Sequence, residues 1–314
     1  QDAILSYKEN LFMKTVLKWI AIIIGGLVVI ILIAGAGTAV YANAQFKPQL
    51  DDRPLYEITA DTSPEGLERG AYLMEGVTDC AEACHANEED GTLSGYYEEI
   101  NEGPIAGVFS TPNLTPDEAT GLGSWSDAEI ARAIREGVDK DGVALEVMPS
   151  YHLNALSDED VAAMVGYLRG LEPVANEVPA FQLNTPGKIM LAFGVIGAEA
   201  LQDPITEAQE TPPEGTAAYG EYLVTIGFCR ECHTENLGGG PLPFAGPDDP
   251  PSANLTPAGE LQGWAAEDFI RAVREGEKPS GNALSEDMPR YQMTDEDLTA
   301  IFEYLQTIPP VESQ

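Results

Sequence analysis

Cys229-Arg-Glu-Cys232-His233 is the stretch on which the reading of this chain turns. Two closely spaced thiols followed at once by a histidine form the signature for covalent attachment of a haem. The thiols add across the porphyrin vinyl groups, and the adjacent imidazole is placed to ligate iron from one face. A second cluster, Cys80-Ala-Glu-Ala-Cys84-His85, keeps the same order with one residue more between the thiols. These are the only 4 cysteines among 314 residues. Their grouping into two pairs, each ending in histidine, argues against the disulfides that an even count suggests by default.

Working outward, the chain aligns with itself over roughly a hundred residues. Gly70-Ala-Tyr-Leu-Met matches Gly220-Glu-Tyr-Leu-Val, and Asn113-Leu-Thr-Pro matches Asn254-Leu-Thr-Pro. Trp125-Ser-Asp-Ala-Glu-Ile-Ala-Arg-Ala-Ile-Arg-Glu-Gly parallels Trp264-Ala-Ala-Glu-Asp-Phe-Ile-Arg-Ala-Val-Arg-Glu-Gly, and Met148-Pro-Ser-Tyr parallels Met288-Pro-Arg-Tyr. Each copy closes on an amphipathic helix capped by a hydroxyl and opened by acids, Ser157-Asp-Glu-Asp and Thr294-Asp-Glu-Asp. Because the cysteine-histidine cluster holds the same place in both copies, the extra residue between Cys80 and Cys84 is expected to bulge a turn without abolishing attachment. Attachment there through one thiol or both fits the spacing.

With His85 and His233 on one side of iron, the sixth position decides between electron transfer, ligand binding and peroxide chemistry. Met148 and Met288 stand at matching places in polar, turn-rich surroundings, each followed by a proline that fixes φ and stiffens the loop. They are the expected second axial ligands. His152, four residues beyond Met148, competes for the first iron, whereas the second copy has Gln292 at that place. Trp125, Trp264, Tyr151 and Tyr291 recur as core aromatics whose polar atoms could reach haem propionates. Arg132 and Arg271 recur as well, suited either to a propionate or to a surface ion pair.

The 16 Lys+Arg against 52 Asp+Glu give a net charge of −36, which excludes nucleic acid as a partner and suits a basic soluble electron carrier. A hydrophobic fraction of 44% with 31 Gly and 23 Pro predicts a globular chain of short helices and many turns. Between residues 19 and 46 there is no charge, and the run from Ile20 to Ala34 is long enough to cross a hydrocarbon core of ~30 Å. Ala42-Asn43-Ala44 resembles a signal-peptidase site and Met13-Lys14 a natural start, leaving residues 1–12 as a processed terminus or an earlier start. The length of the apolar run favours an uncleaved anchor. Lys8, Lys14 and Lys18 precede it, which puts the N-terminus in the cytoplasm and the remainder on the periplasmic side of the membrane.

These motifs resemble the class I cytochrome c superfamily, and more narrowly the multi-haem cytochrome subunits of membrane-bound alcohol and gluconate dehydrogenases. The likeness covers about residues 64–173 and 214–310. It implies an all-α fold of two tandem cytochrome c domains after one transmembrane helix, with two haem c groups. The expected boundaries are 1–46 for the N-terminal segment and anchor, 47–173 for the first domain, 174–213 for a linker and 214–314 for the second domain. The linker carries an apolar patch at residues 189–198, read either as a helix between the domains or as a docking patch. A loop at residues 241–251 is expected at a haem edge.

The function expected is a di-haem electron carrier held beside integral-membrane redox subunits of a respiratory or photosynthetic complex, with no catalysis of its own. It would join a quinol-oxidising or dehydrogenase partner to a soluble carrier or an oxidase. A di-haem peroxidase and a haem-based gas sensor are the alternatives; both need an open iron position, against which two equivalent Met-Pro motifs weigh. No nucleotide loop, nucleophile elbow or zinc ligand set appears in the sequence.

Overall fold

Helices supply most of the regular structure in the computed structural model, which describes residues 2–50, 53–196, 201–242 and 250–311. In chain order they are α1 (Asp2–Gln45), α2 (Pro64–Tyr72), α3 (Asp127–Glu136), α4 (Ser150–Leu153), α5 (Asp158–Gly170), α6 (Thr185–Ala192), α7 (Ala217–Ile226), α8 (Cys229–His233), α9 (Ala266–Glu275) and α10 (Asp295–Thr307). The backbone divides into two compact units. One comprises residues 1–48, 101–107 and 183–196; the other comprises 49–100, 108–182 and 197–314.

In the first unit, the part of α1 spanning Leu17–Gln45 is long and apolar enough to cross a membrane. Large apolar side chains along it stand exposed, Ile30 and Ile33 among them. Helix α6 packs beside α1. The apolar patch at residues 189–198 thus begins in a short helix on α1; its last residues, 197 and 198, lie outside the described residues.

The expectation of an all-α fold needs correction. A hairpin of β1 (Tyr96–Glu102) and β2 (Ile105–Thr111) pairs with a short β3 (Gln182–Leu183) in the order β1-β2-β3. Tyr96, Tyr97, Ile100, Ile105, Val108 and Phe109 give the two segments strand character, and Gly103 at φ 57° opens the two-residue turn between them.

The second unit holds both copies of the repeat. Helix α2 packs on α5 in the first copy, and α7 packs on α10 in the second. Both crossings are close because both lack a side chain at the contact: a Cβ on Gly70 would lie 2.1 Å from the Ala163 carbonyl oxygen, and one on Gly220 2.0 Å from that of Ala300. Ser157 and Thr294 cap α5 and α10 as the sequence implies, accepting from the amides of Asp160 and Asp297. Arg135 and Arg274 tie α3 and α9 to these same helix starts, donating to the Leu156 and Met293 carbonyls and pairing with Asp158 and Asp295.

The copies also cap one another. Tyr72 donates to Asp297 at 2.6 Å and accepts from the Thr294 amide at 3.0 Å. Tyr222 donates to Asp160 at 2.6 Å and accepts from the Ser157 amide at 3.3 Å. Each tyrosine therefore enters the N-terminus of the other copy's last helix, the reciprocal pattern of a two-fold interface. Leu73, Leu153, Leu168, Leu223, Leu298 and Leu305 belong to one apolar core shared by the two copies.

Candidate functional site

Helix α8 is a single turn, started by Phe228 in the left-handed region at φ 58°. That turn puts Cys229, Cys232 and His233 on one wall of a cavity of about 370 Å³. Trp264, Met288 and Tyr291 line it too, among apolar residues that include Leu255, Leu261 and Ile301. Residues as far apart in sequence as Cys229 and Ile301 thus meet in one apolar cleft, and the sequence had singled out six of them.

His233 is buried, and its Nδ1 lies 2.8 Å from the Ala253 carbonyl oxygen. A carbonyl only accepts, so Nδ1 carries the proton and Nε2 keeps its lone pair. Burial lowers the pKa of this imidazole, which holds it in the neutral form that a metal requires. In the first copy, the Nδ1 of buried His85 is 3.3 Å from the Pro112 carbonyl, and burial pushes its pKa down to about 4. Pro112 and Ala253 both directly precede Asn-Leu-Thr-Pro. One residue further back, Thr111 and Ser252 each donate to the carbonyl of the second cysteine, Cys84 or Cys232, at 2.5 Å.

The recurrent Asn-Leu-Thr-Pro is therefore the strap that holds the cysteine turn. Asn113 donates to the Val174 carbonyl and Asn254 to that of Val311, while each asparagine oxygen accepts from the threonine two residues on. These bonds bind the strap to the segment leaving the last helix of its own copy. Repetition marked the motif in the sequence, but nothing in the sequence assigned it this role.

The extra residue between Cys80 and Cys84 is absorbed by a widened turn. Over Ala81–His85 the Ala86 amide bonds to the Ala81 carbonyl, an i→i+5 pattern. A second surplus residue lies just upstream and is absorbed in the same way: the Leu73 carbonyl accepts from Thr78, whereas its counterpart Leu223 accepts from Gly227, four residues on. Asp79 repeats the left-handed backbone of Phe228 at φ 50°. Cys80 is buried against the common core, Trp125 and Met148 pack on that core, and Cys84 is exposed.

None of the four cysteines is in a disulfide. Burial pushes the Cys229 thiol up to about 11 and the Cys80 thiol up to about 12, so neither is a thiolate at neutral pH. Among the described residues no cluster of His, Cys, Asp or Glu could hold a bare metal ion. The donor set instead suits a haem, which uses neutral imidazole, thioether sulfur and an apolar wall. A further fit lies in Arg132 and Arg271, whose Nε atoms are buried without a partner among the described residues. Arg132 also donates to the Asp139 carbonyl, and Arg271 pairs with Asp268 at 2.9 Å, the ion pair its sequence context allows.

The remaining site candidates have other partners. Tyr291 donates to the Gly227 carbonyl at 2.7 Å. Tyr151 bonds to Glu231, and His152 Nε2 sits 2.9 Å from Glu231 Oε1. These bonds, foremost that from His152, lower the pKa of Glu231 and keep it ionised. Most of the loop at 241–251, residues 243–249, lies outside the described residues.

Residues 65–168 and 214–305 match the family model described as cytochrome c oxidase, cbb3-type, subunit III. The chain is 31% identical over 81% of its length to the cytochrome c subunit of a quinone alcohol dehydrogenase from Gluconacetobacter polyoxogenes, of which it spans 58%. It is 30% identical over 77% of its length to the cytochrome c subunit of a gluconate 2-dehydrogenase from Pantoea cypripedii, spanning 59% of it. A diheme cytochrome c-type protein from Cereibacter sphaeroides is 30% identical over 66% of the chain and is itself covered over 73%. With histidine, cysteine and methionine drawn to one apolar cleft and this match over more than half of its length, the chain belongs to the cytochrome c family described as cbb3-type oxidase subunit III.

Proposed function

We propose that this chain is a membrane-anchored di-haem c subunit that relays electrons from a quinol-oxidising or dehydrogenase partner to a soluble carrier or an oxidase. The observation that carries the reading is the cleft bringing Cys229, Cys232, His233 and Met288 together. Haem c held there would supply a one-electron iron couple. The protein's contribution is positional: Ala253 fixes the imidazole, Pro289 stiffens the Met288 loop, and the apolar wall excludes water. Met/His ligation raises a reduction potential and leaves no open coordination position. Cys80, Cys84, His85 and Met148 have the same roles in the first copy. Arg132 and Arg271 are better placed for propionates than Tyr151 and Tyr291, whose hydroxyls serve Glu231 and Gly227.

His152 favours Met148 as the first ligand, because its Nε2 is directed at Glu231. Glu231 lies between the two cysteines of the second cluster, so this hydrogen bond links the methionine loop of one copy to the cysteine turn of the other. Such continuity suits a two-centre relay. The span Leu17–Gln45 anchors the chain, with Lys8, Lys14 and Lys18 on the cytoplasmic side and both haem domains outside. The relatives named as dehydrogenase subunits support a dehydrogenase partner. The charge of −36 supports a basic soluble acceptor, whose association should slow steeply with added salt.

The test is a spectroelectrochemical titration of the full chain, with haem content and the sulfur-to-iron charge-transfer band followed together. Two covalent haems, both low-spin and methionine-ligated, are expected, and Met148→Ala and Met288→Ala should each remove one contribution to the band. A single haem, or a high-spin centre in the unsubstituted chain, overturns the proposal.

A further inference from the structure

The lysines of this acidic chain are not spread evenly. Five of the seven, Lys8, Lys14, Lys18, Lys47 and Lys188, belong to the unit built around α1, which carries only Asp2, Glu9 and Glu102 as acids. Two precede the span Leu17–Gln45, Lys18 stands in its first turn, and the other two meet at its far end. There Lys188 of α6 donates to Asn43 Oδ1 at 2.8 Å and lies over the Phe46 ring, 4.5 Å from its centroid. Lys47 stands over the same ring at 5.8 Å.

Helix α6 is built to hold a fixed place at this end. Asn184 caps it by accepting from the Gly187 amide, and donates to the Pro104 carbonyl of the hairpin tip. A closing turn ends it: Gly194 at φ 67° bonds to the Leu191 carbonyl, and the Val195 amide to that of Met190. This turn presents Phe193 and Val195 at 61% and 63% exposure, with the Phe193 ring 6.0 Å from that of Tyr41 on α1. Val40 beside it is also exposed. A fixed apolar and aromatic patch thus continues directly from the membrane span and is flanked by two ammonium groups. Aromatic rings and lysines at the end of a span are the composition of a membrane interface.

We propose that α6 and its closing turn form an interfacial foot that inserts Phe193 and Val195 among the headgroups of the bilayer crossed by α1, with Lys47 and Lys188 contacting acidic phospholipids. The proposal rests on the reading of α1 as a membrane anchor. Charge argues for this occupant: the rest of the chain is strongly acidic and is repelled by an anionic surface, so attraction to lipid phosphate must come from here. An ammonium has three donors and can serve Asn43 and a phosphate together.

The test uses the purified full chain in lipid nanodiscs and a membrane-impermeant maleimide, with single cysteines at Phe193→Cys and Val195→Cys and the unsubstituted chain as background. Tyr97→Cys is the water-exposed control and Ile30→Cys the mid-span control. Positions 193 and 195 should label about tenfold more slowly than position 97, and more slowly still when a third of the lipid is phosphatidylglycerol. Lys47→Glu with Lys188→Glu should abolish the response to anionic lipid and leave Ile30→Cys protected. Labelling at 193 and 195 as fast as at 97, with position 30 protected, overturns the foot and spares the anchor. Labelling at position 30 overturns the anchor itself. Protection seen only in native membranes, and not in nanodiscs, assigns the patch to a protein partner and also overturns the proposal.

Discussion

The two cysteine turns solve one problem with different numbers of residues. From Tyr222 to Cys229 the second copy uses α-helical geometry and then the single turn α8; from Tyr72 to His85 the first copy carries two residues more and takes two i→i+5 turns. The anchors on either side of the turns correspond. Tyr72 and Tyr222 make equivalent bonds across the copies, and His85 and His233 both point Nδ1 at the carbonyl before Asn-Leu-Thr-Pro. Insertions that would rotate a continuous α-helix by about 100° each are instead confined to widened turns, so the anchors on either side hold register. The cysteine spacing is the tolerant part of the site, and the anchors are the intolerant part.

The anchors are where this comparison breaks most readily. Gly70→Ala and Gly220→Ala each drive a Cβ into a backbone carbonyl that cannot move aside as a flexible side chain would. Each should destabilise the chain by about 3 kcal/mol. Chemical denaturation of the two variants should give similar losses; a loss confined to one copy would end the equivalence of the crossings.

The cross-capping tyrosines should matter less and unequally. Tyr72→Phe removes the one side-chain donor that the described structure gives to Asp297, a nearly buried carboxylate. Tyr222→Phe leaves Asp160 with a two-bond contact to Arg69, at 2.8 and 2.9 Å. The expected costs are about 2 kcal/mol for Tyr72→Phe and about 1 kcal/mol for Tyr222→Phe. Equal costs would mean that Arg69 does not support Asp160 in solution.

Much of this was legible because it is contiguous or periodic. The repeat, both cysteine clusters, and the caps at Ser157 and Thr294 declare themselves within a few residues. The surplus residue before Cys80 was legible as well, since eight positions separate it from Tyr72 and only seven separate Cys229 from Tyr222. The hairpin was not, because among the described residues it occurs in the first copy alone, carries Glu98 and Glu99 in a strand, and turns on Gly-Pro without the common Asn-Gly signal. The partner of His152 was out of reach for another reason: Glu231 is 79 residues away and on the other copy. Local chemistry specifies which side chains can bond, but only packing between the copies decides which of them meet.

The sharpest test of the tolerant part is the smallest in expected effect. Deleting exposed Ala83 restores the shorter spacing between Cys80 and the cysteine before His85. If the i→i+5 turn only takes up slack, the segment should close to an α-turn, with haem content unchanged and stability altered by about 1 kcal/mol or less. Haem content per chain and a thermal melt measure this together. Loss of one haem would instead mean that the wide turn sets the position of Cys84 or His85 and that the first copy has diverged to require it. Tolerance of a residue already present and need for that residue are different properties, and only removal separates them.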